Sequence, residues 1–82
     1  MTDEELAREV VELISKAIEI PVEQLNSDAD FIDELEVDSL KAIEITGALE
    51  KRFRVIVPED KIRSVRTVNQ AIALTKQLLD HK

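Results

Sequence analysis

The 82-residue chain contains no cysteine, tryptophan or tyrosine, a single glycine, two prolines and two phenylalanines. Without cysteine there is no disulfide framework, no thiolate nucleophile and no cysteine-ligated zinc, and nothing calls for an oxidising compartment, so a cytoplasmic location is expected. The one histidine, His81, is the penultimate residue. It offers no ordered base for a Ser-His-Asp arrangement, and hydrolysis of that type is disfavoured. A lone glycine, Gly47, set inside a helical pattern, excludes a Gly-rich phosphate loop. No apolar run approaches the ~20 residues of a membrane span, and the opening Met1-Thr2-Asp3-Glu4-Glu5 is acidic where a secretory signal is basic. A soluble, uncleaved protein without membrane insertion is expected. Positive charge is also in deficit: 11 basic residues face 18 acidic ones, for a net charge of -7, which argues against nucleic acid or anionic lipid as a partner.

What is present is apolar (44%) and charged (35%). A chain of this length buries only about 60% of the surface its unfolded form exposes, which allows one modest core but no deep catalytic cleft. Residues 1–82 therefore read as a single domain, and a self-contained enzyme is not expected. Charge is divided unevenly, with 13 acidic and 2 basic side chains in residues 1–40 against 5 and 9 in residues 41–82. Such asymmetry suits either two differently solvated faces or recognition of a partner.

Helical periodicity organises most of the chain. Thr2 and Glu5 form a capping box, Glu5 being placed to reach back to the cap's own amide, and Leu6, Val10, Leu13, Ile14 and Ala17 share one stripe of a helix ending near Ile18. From Glu19 to Val37 the period fails, Pro21 interrupts and Asn26-Ser27-Asp28 supplies turn chemistry. This reads as a long connection anchored by Val22, Leu25, Phe31, Ile32 and Leu35. Asp38 is a good N-cap for a second helix running through Phe53, with Ala42, Ile43, Leu49 and Phe53, and Ile45 or Thr46 between them, facing inward. Val55-Ile56-Val57 is a short extended run stopped by Pro58, and Glu59 to Arg63 make at most a short helical turn. A second capping box, Thr67-Val68-Asn69-Gln70, opens a last helix in which Val68, Ala71, Ile72, Thr75, Leu78 and Leu79 keep helical spacing to near Asp80. The expected fold is all-α, a four-helix bundle of three main helices and one short one, with a long loop between the first two.

The acidic loop does not fit a calcium site. An EF-hand started at Asp28 places Ile32 at the fifth position, Asp33 where the turn glycine belongs and Ser39 where the bidentate Glu belongs. No metal site is expected. What remains is Asp38-Ser39-Leu40, a hydroxyl at a helix N-terminus behind a carboxylate. First-turn amides and the macrodipole favour a phosphate there, although Asp-Ser at a helix start is also ordinary capping.

Taken together, Phe31-Ile32-Asp33-Glu34-Leu35-Glu36-Val37-Asp38-Ser39-Leu40, the helix ending Ala48-Leu49-Glu50-Lys51-Arg52-Phe53, the run Ile56-Val57-Pro58-Glu59-Asp60 and Thr67-Val68 resemble the acyl carrier protein family from about Leu6 to Leu79. The resemblance implies that Ser39 carries 4'-phosphopantetheine, transferred from coenzyme A by a phosphopantetheinyl transferase. It also implies that the arm's thiol bears acyl thioesters, which explains how a protein without cysteine carries them. Asp38 would hold the helix start and help the transferase recognise the serine, and Leu40 would lie beside the arm or simply pack. The inward residues Ile43, Ile45, Ala48, Leu49, Phe53, Ile56, Ile62, Val65, Ala71 and Ile72 would line a space for the acyl chain, or serve only as core. The carrier would be monomeric, would catalyse nothing itself, and would present its cargo to acyl-transferring, ligase or synthase enzymes of fatty-acid, lipid or polyketide-type biosynthesis.

The chain departs from the family pattern in ways that point to a specialised rather than a housekeeping member. Most relatives have Gly where Glu36 stands, so the loop beside Ser39 is expected to be shaped differently. The second helix of relatives is usually acidic and meets basic patches on enzymes. Glu44 and Glu50 fit that pattern, while Lys41, Lys51, Arg52 and Arg54 do not. Lys61, Arg63 and Arg66 are basic where the family is commonly acidic, and Gly47 replaces a bulky apolar residue. Glu36, Lys41, Glu44, Gly47, Glu50 and Arg63 are thus the candidate partner-binding residues. Two other readings stay open: an aminoacyl, D-alanyl or peptidyl carrier, and an unmodified helical interaction domain in which Ser39 only caps a helix.

Overall fold

The computed structural model of the chain describes residues 2–25, 28 and 38–80, with Ser39 and Arg63 as backbone. Four helices, α1 (Asp3–Ile18), α2 (Ser39–Phe53), α3 (Glu59–Ser64) and α4 (Val68–Asp80), form the bundle, and there is no strand among the described residues. Thr2 caps α1 from an extended conformation, its Oγ1 accepting the Glu5 N–H at 3.2 Å. The box closes differently from the expectation. The Glu5 carboxylate receives the Thr2 hydroxyl at 3.2 Å rather than the backbone amide. Asp3, Glu4 and Glu5 set three negative charges against the positive end of the helix macrodipole. Leu6, Val10 and Ile14 are buried, and Leu13 and Ala17 pack at the margin of the same stripe. Glu19 ends the helix in the left-handed region at φ 59°, and its N–H bonds to the Ser15 carbonyl. The Ser15 hydroxyl returns to the Ile20 carbonyl.

Pro21 does more than interrupt. Its φ of -56° starts a 3-10 turn over Val22–Gln24, closed by Gln24 N–H to Pro21 O at 2.9 Å and Leu25 N–H to Val22 O at 3.1 Å. Leu25 packs on the core as expected, but Val22 is 43% exposed and lies outside the core cluster. Phe31, Ile32, Leu35 and Glu36 lie outside the described residues. Asp28 ties this connection to the start of α4, its Oδ1 accepting from Asn69 Nδ2 at 2.6 Å.

Ile45, Leu49 and Phe53 are buried on α2, while Ile43 is 61% exposed. At ~100° per residue, Ala42, Ile45, Thr46, Leu49 and Phe53 fall within one arc, and Ile43 lies about 60° outside it. Hydrophobicity, not geometry, had placed Ile43 inside. Arg54 closes α2 in the left-handed region (φ 55°, ψ 47°), and the chain runs extended to Pro58. In an extended segment side chains alternate, so Val55 and Val57 are buried and Ile56 is 82% exposed, not inward as expected. The short helical turn is realised as α3, which packs chiefly on α2. At the start of α4 the Gln70 N–H bonds to Thr67 Oγ1 at 3.1 Å, while the Gln70 side chain accepts from Arg66 N–H, one residue before the cap. Val68, Ala71 and Thr75 are buried on α4, the Thr75 hydroxyl being satisfied by the Ala71 carbonyl at 2.8 Å. The main packing joins α1 to both α2 and α4. This contact is bordered by the Arg52–Glu9 and Lys76–Asp3 ion pairs.

Candidate functional site

The site is built where the acidic connection enters α2. Asp38 is extended (φ -92°, ψ -175°), and its Oδ1 accepts the Lys41 N–H at 2.9 Å while its carbonyl accepts from Ala42 at 2.9 Å. Ser39 is consequently the first residue of α2. A helix start leaves its first amides without intrahelical acceptors, and together with the macrodipole they favour an anion. Asp38 and Leu40 are exposed, Leu40 by 64%. The first turn of α2 is therefore open to an approaching enzyme, and its polarity fits a phosphodiester.

The other candidate partner residues divide. Lys41 is half-buried and its Nζ reaches the Ala17 carbonyl in the last turn of α1 at 3.3 Å, with Glu44 at 3.7 Å. Glu50 is half-buried, and its Oε2 accepts the Val57 N–H at 2.9 Å, holding the extended segment against α2. Gly47 is exposed at mid-helix without a positive φ, and a Cβ placed there would meet nothing within 4 Å. Arg63 falls in α3, and Glu36 outside the described residues.

Behind the first turn lies an apolar cavity of ≈ 30 Å³. Five of the expected acyl-pocket residues line it: Ile45, Leu49, Ile62, Val65 and Ala71. Five do not. Ile43 and Ile56 are exposed, Phe53 is buried in the core below, and Ile72 packs at the core margin. Ala48 lines a shallow groove with Leu13, Lys51, Arg52 and Arg54 instead. Ala42, Thr46, Val57 and Leu74 complete the lining and were missed. The 3.6-residue period already carried Ala42 and Thr46, and two-residue alternation carried Val57; Leu74 needed the tertiary packing. Ala42 is three residues beyond Ser39, ~4.5 Å along the helix axis. The cavity thus begins within a turn of the serine. Its lining is apolar except for the Thr46 hydroxyl, which is satisfied by Ala42 O at 2.8 Å. Among the described residues no cluster of His, Asp or Glu is arranged to hold a metal, and no helix is long and apolar enough to cross a membrane.

Comparison with known proteins agrees with this arrangement. Residues 8–75 match the family model described as "Phosphopantetheine attachment site". The acyl carrier protein of Petrotoga mobilis is 31% identical over 80 residues, covering 98% of this chain and 94% of that protein. That of Acidothermus cellulolyticus is 32% identical over 72 residues, covering 88% and 86%. Among solved structures, an acyl carrier protein from Enterococcus faecalis superposes with a TM-score of 0.77 at 26% identity, over 95% of this chain and 99% of that one.

Proposed function

Since the chain belongs to the phosphopantetheine attachment-site family and is an acyl carrier protein, we propose that it bears its 4'-phosphopantetheine on Ser39. An acyl carrier protein is not a catalyst; it works with a phosphopantetheinyl transferase and with biosynthetic enzymes that use its cargo. The observation that carries the assignment is the position of Ser39 as first residue of α2, behind the capping carboxylate of Asp38 and beside exposed Leu40. On loading, the Ser39 hydroxyl oxygen forms a phosphoester as the pyrophosphate bond of coenzyme A breaks, adenosine 3',5'-bisphosphate leaving and the hydroxyl proton being released. The group then supplies a terminal thiol on a long flexible tether. Asp38 holds the helix start so that the first-turn amides face the phosphodiester, and Leu40 flanks it.

The acyl chain is received between the helices by Ile45, Leu49, Ile62, Val65 and Ala71. A cavity of ≈ 30 Å³ has room for two or three waters at ~10–15 Å³ each, so α3 must move away from α2 and α4 to admit more than the first carbons of a chain. The carrier acts as a monomer in the cytoplasm and serves a dedicated pathway. The test is the intact mass of the protein after incubation with coenzyme A and a broad-specificity transferase, beside Ser39→Ala. One phosphopantetheine is expected on the parent protein and none on the variant, whose circular dichroism should be unchanged. A gain on both, or on neither, would sink the assignment.

A further inference from the structure

One polar side chain lines a cavity that is otherwise hydrocarbon. Of the nine side chains around the apolar space behind the first turn of α2, eight carry no polar atom, and the ninth is the half-buried Thr46. Neither the helix nor the packing accounts for it. Threonine is among the weaker helix formers, and valine has the same branched outline without a hydroxyl to desolvate. The Thr46 hydroxyl donates to the Ala42 carbonyl at 2.8 Å, within its own helix, so the bond ties α2 to no other element. Thr75 makes the same back-bond to Ala71, but it is 2% exposed and sealed in the core, where no ligand reaches it. Thr46 differs in bordering open space.

The back-bond fixes what the hydroxyl can still do. A hydroxyl has one proton to donate and two lone pairs that accept. With the proton given to Ala42, Oγ1 is left as an acceptor, and the group that complements it is a donor. A ketone or a carboxylate offers only acceptors, and an ammonium brought into an apolar space with a single acceptor leaves its charge and its other protons unpaired. An alcohol fits. Its one proton meets Oγ1, and its carbon skeleton lies against the hydrocarbon walls. The helix rise then gives the position. Thr46 is about 10 Å along the axis from Ser39 and one turn beyond Ala42, where the cavity begins. At ≈ 30 Å³ the cavity takes in only the first carbons of a chain unless α3 moves. The hydroxyl it selects therefore lies near the thioester end.

On the reading that Ser39 bears the phosphopantetheine arm, we propose that Thr46 sets the cargo of this carrier, selecting short acyl groups that carry a hydroxyl within the first few carbons. The acyl hydroxyl donates to Thr46 Oγ1 while Thr46 keeps its bond to Ala42, a relay of two hydrogen bonds running into the α2 backbone. In an all-hydrocarbon space the same hydroxyl would lose its water without gaining a partner, and a hydroxylated chain would be held less well than its saturated counterpart. Thr46 reverses that order.

Melting temperatures of loaded carriers test this. The parent, Thr46→Val and Thr46→Ser proteins are each loaded by a broad-specificity transferase from butyryl-coenzyme A and, separately, from each enantiomer of 3-hydroxybutyryl-coenzyme A. Intact mass verifies loading, and thermal unfolding is followed by circular dichroism. Comparing acyl forms within one variant cancels the effect of the substitution on the helix itself. In the parent, one 3-hydroxybutyryl form should melt about 4–8 °C above the butyryl form, the shift expected of one net hydrogen bond in a domain of this size. The difference should survive in Thr46→Ser, which keeps the hydroxyl, and vanish or change sign in Thr46→Val. Hydroxybutyryl forms that both melt at or below the butyryl form in the parent, or a difference undiminished in Thr46→Val, would overturn selection by Thr46 while leaving Ser39 in place. If no protein gains mass, the Ser39 assignment fails and the cargo proposal falls with it.

Discussion

Replacing Gly47 by alanine should make this protein more stable. The residue sits in the middle of α2, is exposed, and has no positive φ, so alanine can adopt its backbone conformation. A Cβ at that position would meet nothing within 4 Å, so no steric penalty opposes the change. The gain is then the difference in helix propensity, ~0.8–1.0 kcal/mol, part of it arising from the reduced freedom of the unfolded chain. For a domain of 60–100 residues each kcal/mol moves the melting temperature by about 4–8 °C, so Gly47→Ala should melt roughly 4–8 °C above the parent protein. Thermal unfolding followed by circular dichroism at 222 nm measures this, and urea unfolding should show a raised midpoint at an unchanged slope. A melting temperature equal to or below the parent's would refute the argument, because it would mean that the glycine meets a requirement inside the fold.

Other outcomes follow from single contacts. Arg54 holds a left-handed conformation that costs a side-chain-bearing residue about 1–2 kcal/mol, so Arg54→Gly should stabilise the protein by about 1 kcal/mol in chemical denaturation, and a loss of stability would contradict the role of the helix end. Glu50→Ala removes the acceptor of the Val57 N–H and should destabilise by ~1–3 kcal/mol, with Glu50→Gln, which keeps an acceptor oxygen, clearly less affected. The hydrogen bond to Asp3, and then its charge, hold the Lys76 ammonium above the ordinary lysine pKa. Because the folded value is raised, the stabilisation is fully present below the unfolded value of about 10.4 and is lost as pH rises through the folded value. An NMR titration should place Lys76 lower in Asp3→Asn, and no movement would show that the 3.0 Å contact is not maintained in solution.

The three long helices were legible because each is marked twice, by a capping residue at its start and by a buried stripe along its length. Thr2, Asp38 and Thr67 lie at the helix starts that the sequence predicts, and even the buried hydroxyl of Thr75 follows from its spacing. The errors came where residue type was trusted over geometry. Ile43 and Ile56 are hydrophobic and were drawn inward, but the helical angle of one and the extended alternation of the other turn them to solvent. At the candidate site, five cavity residues could be named from the sequence, whereas Leu74 enters the lining only through how α4 packs, which no local pattern encodes. Val22 was assigned as an anchor because it is apolar, but the 3-10 turn begun by Pro21 leaves it exposed.

The cavity has walls of unequal strength. Two of its sides are long helices, α2 and α4, each packed against α1. The remaining side comes from Val57 in the extended segment and from Ile62 and Val65, in and just after α3, a six-residue helix whose N-cap is Pro58 with no side-chain bond to its first amides. An element so short and so lightly held is drawn from the low end of local stability. Amide exchange should accordingly be fast in α3 and slow in α1, α2 and α4, so cargo would enter and leave by loosening one small wall while the load-bearing frame stays shut.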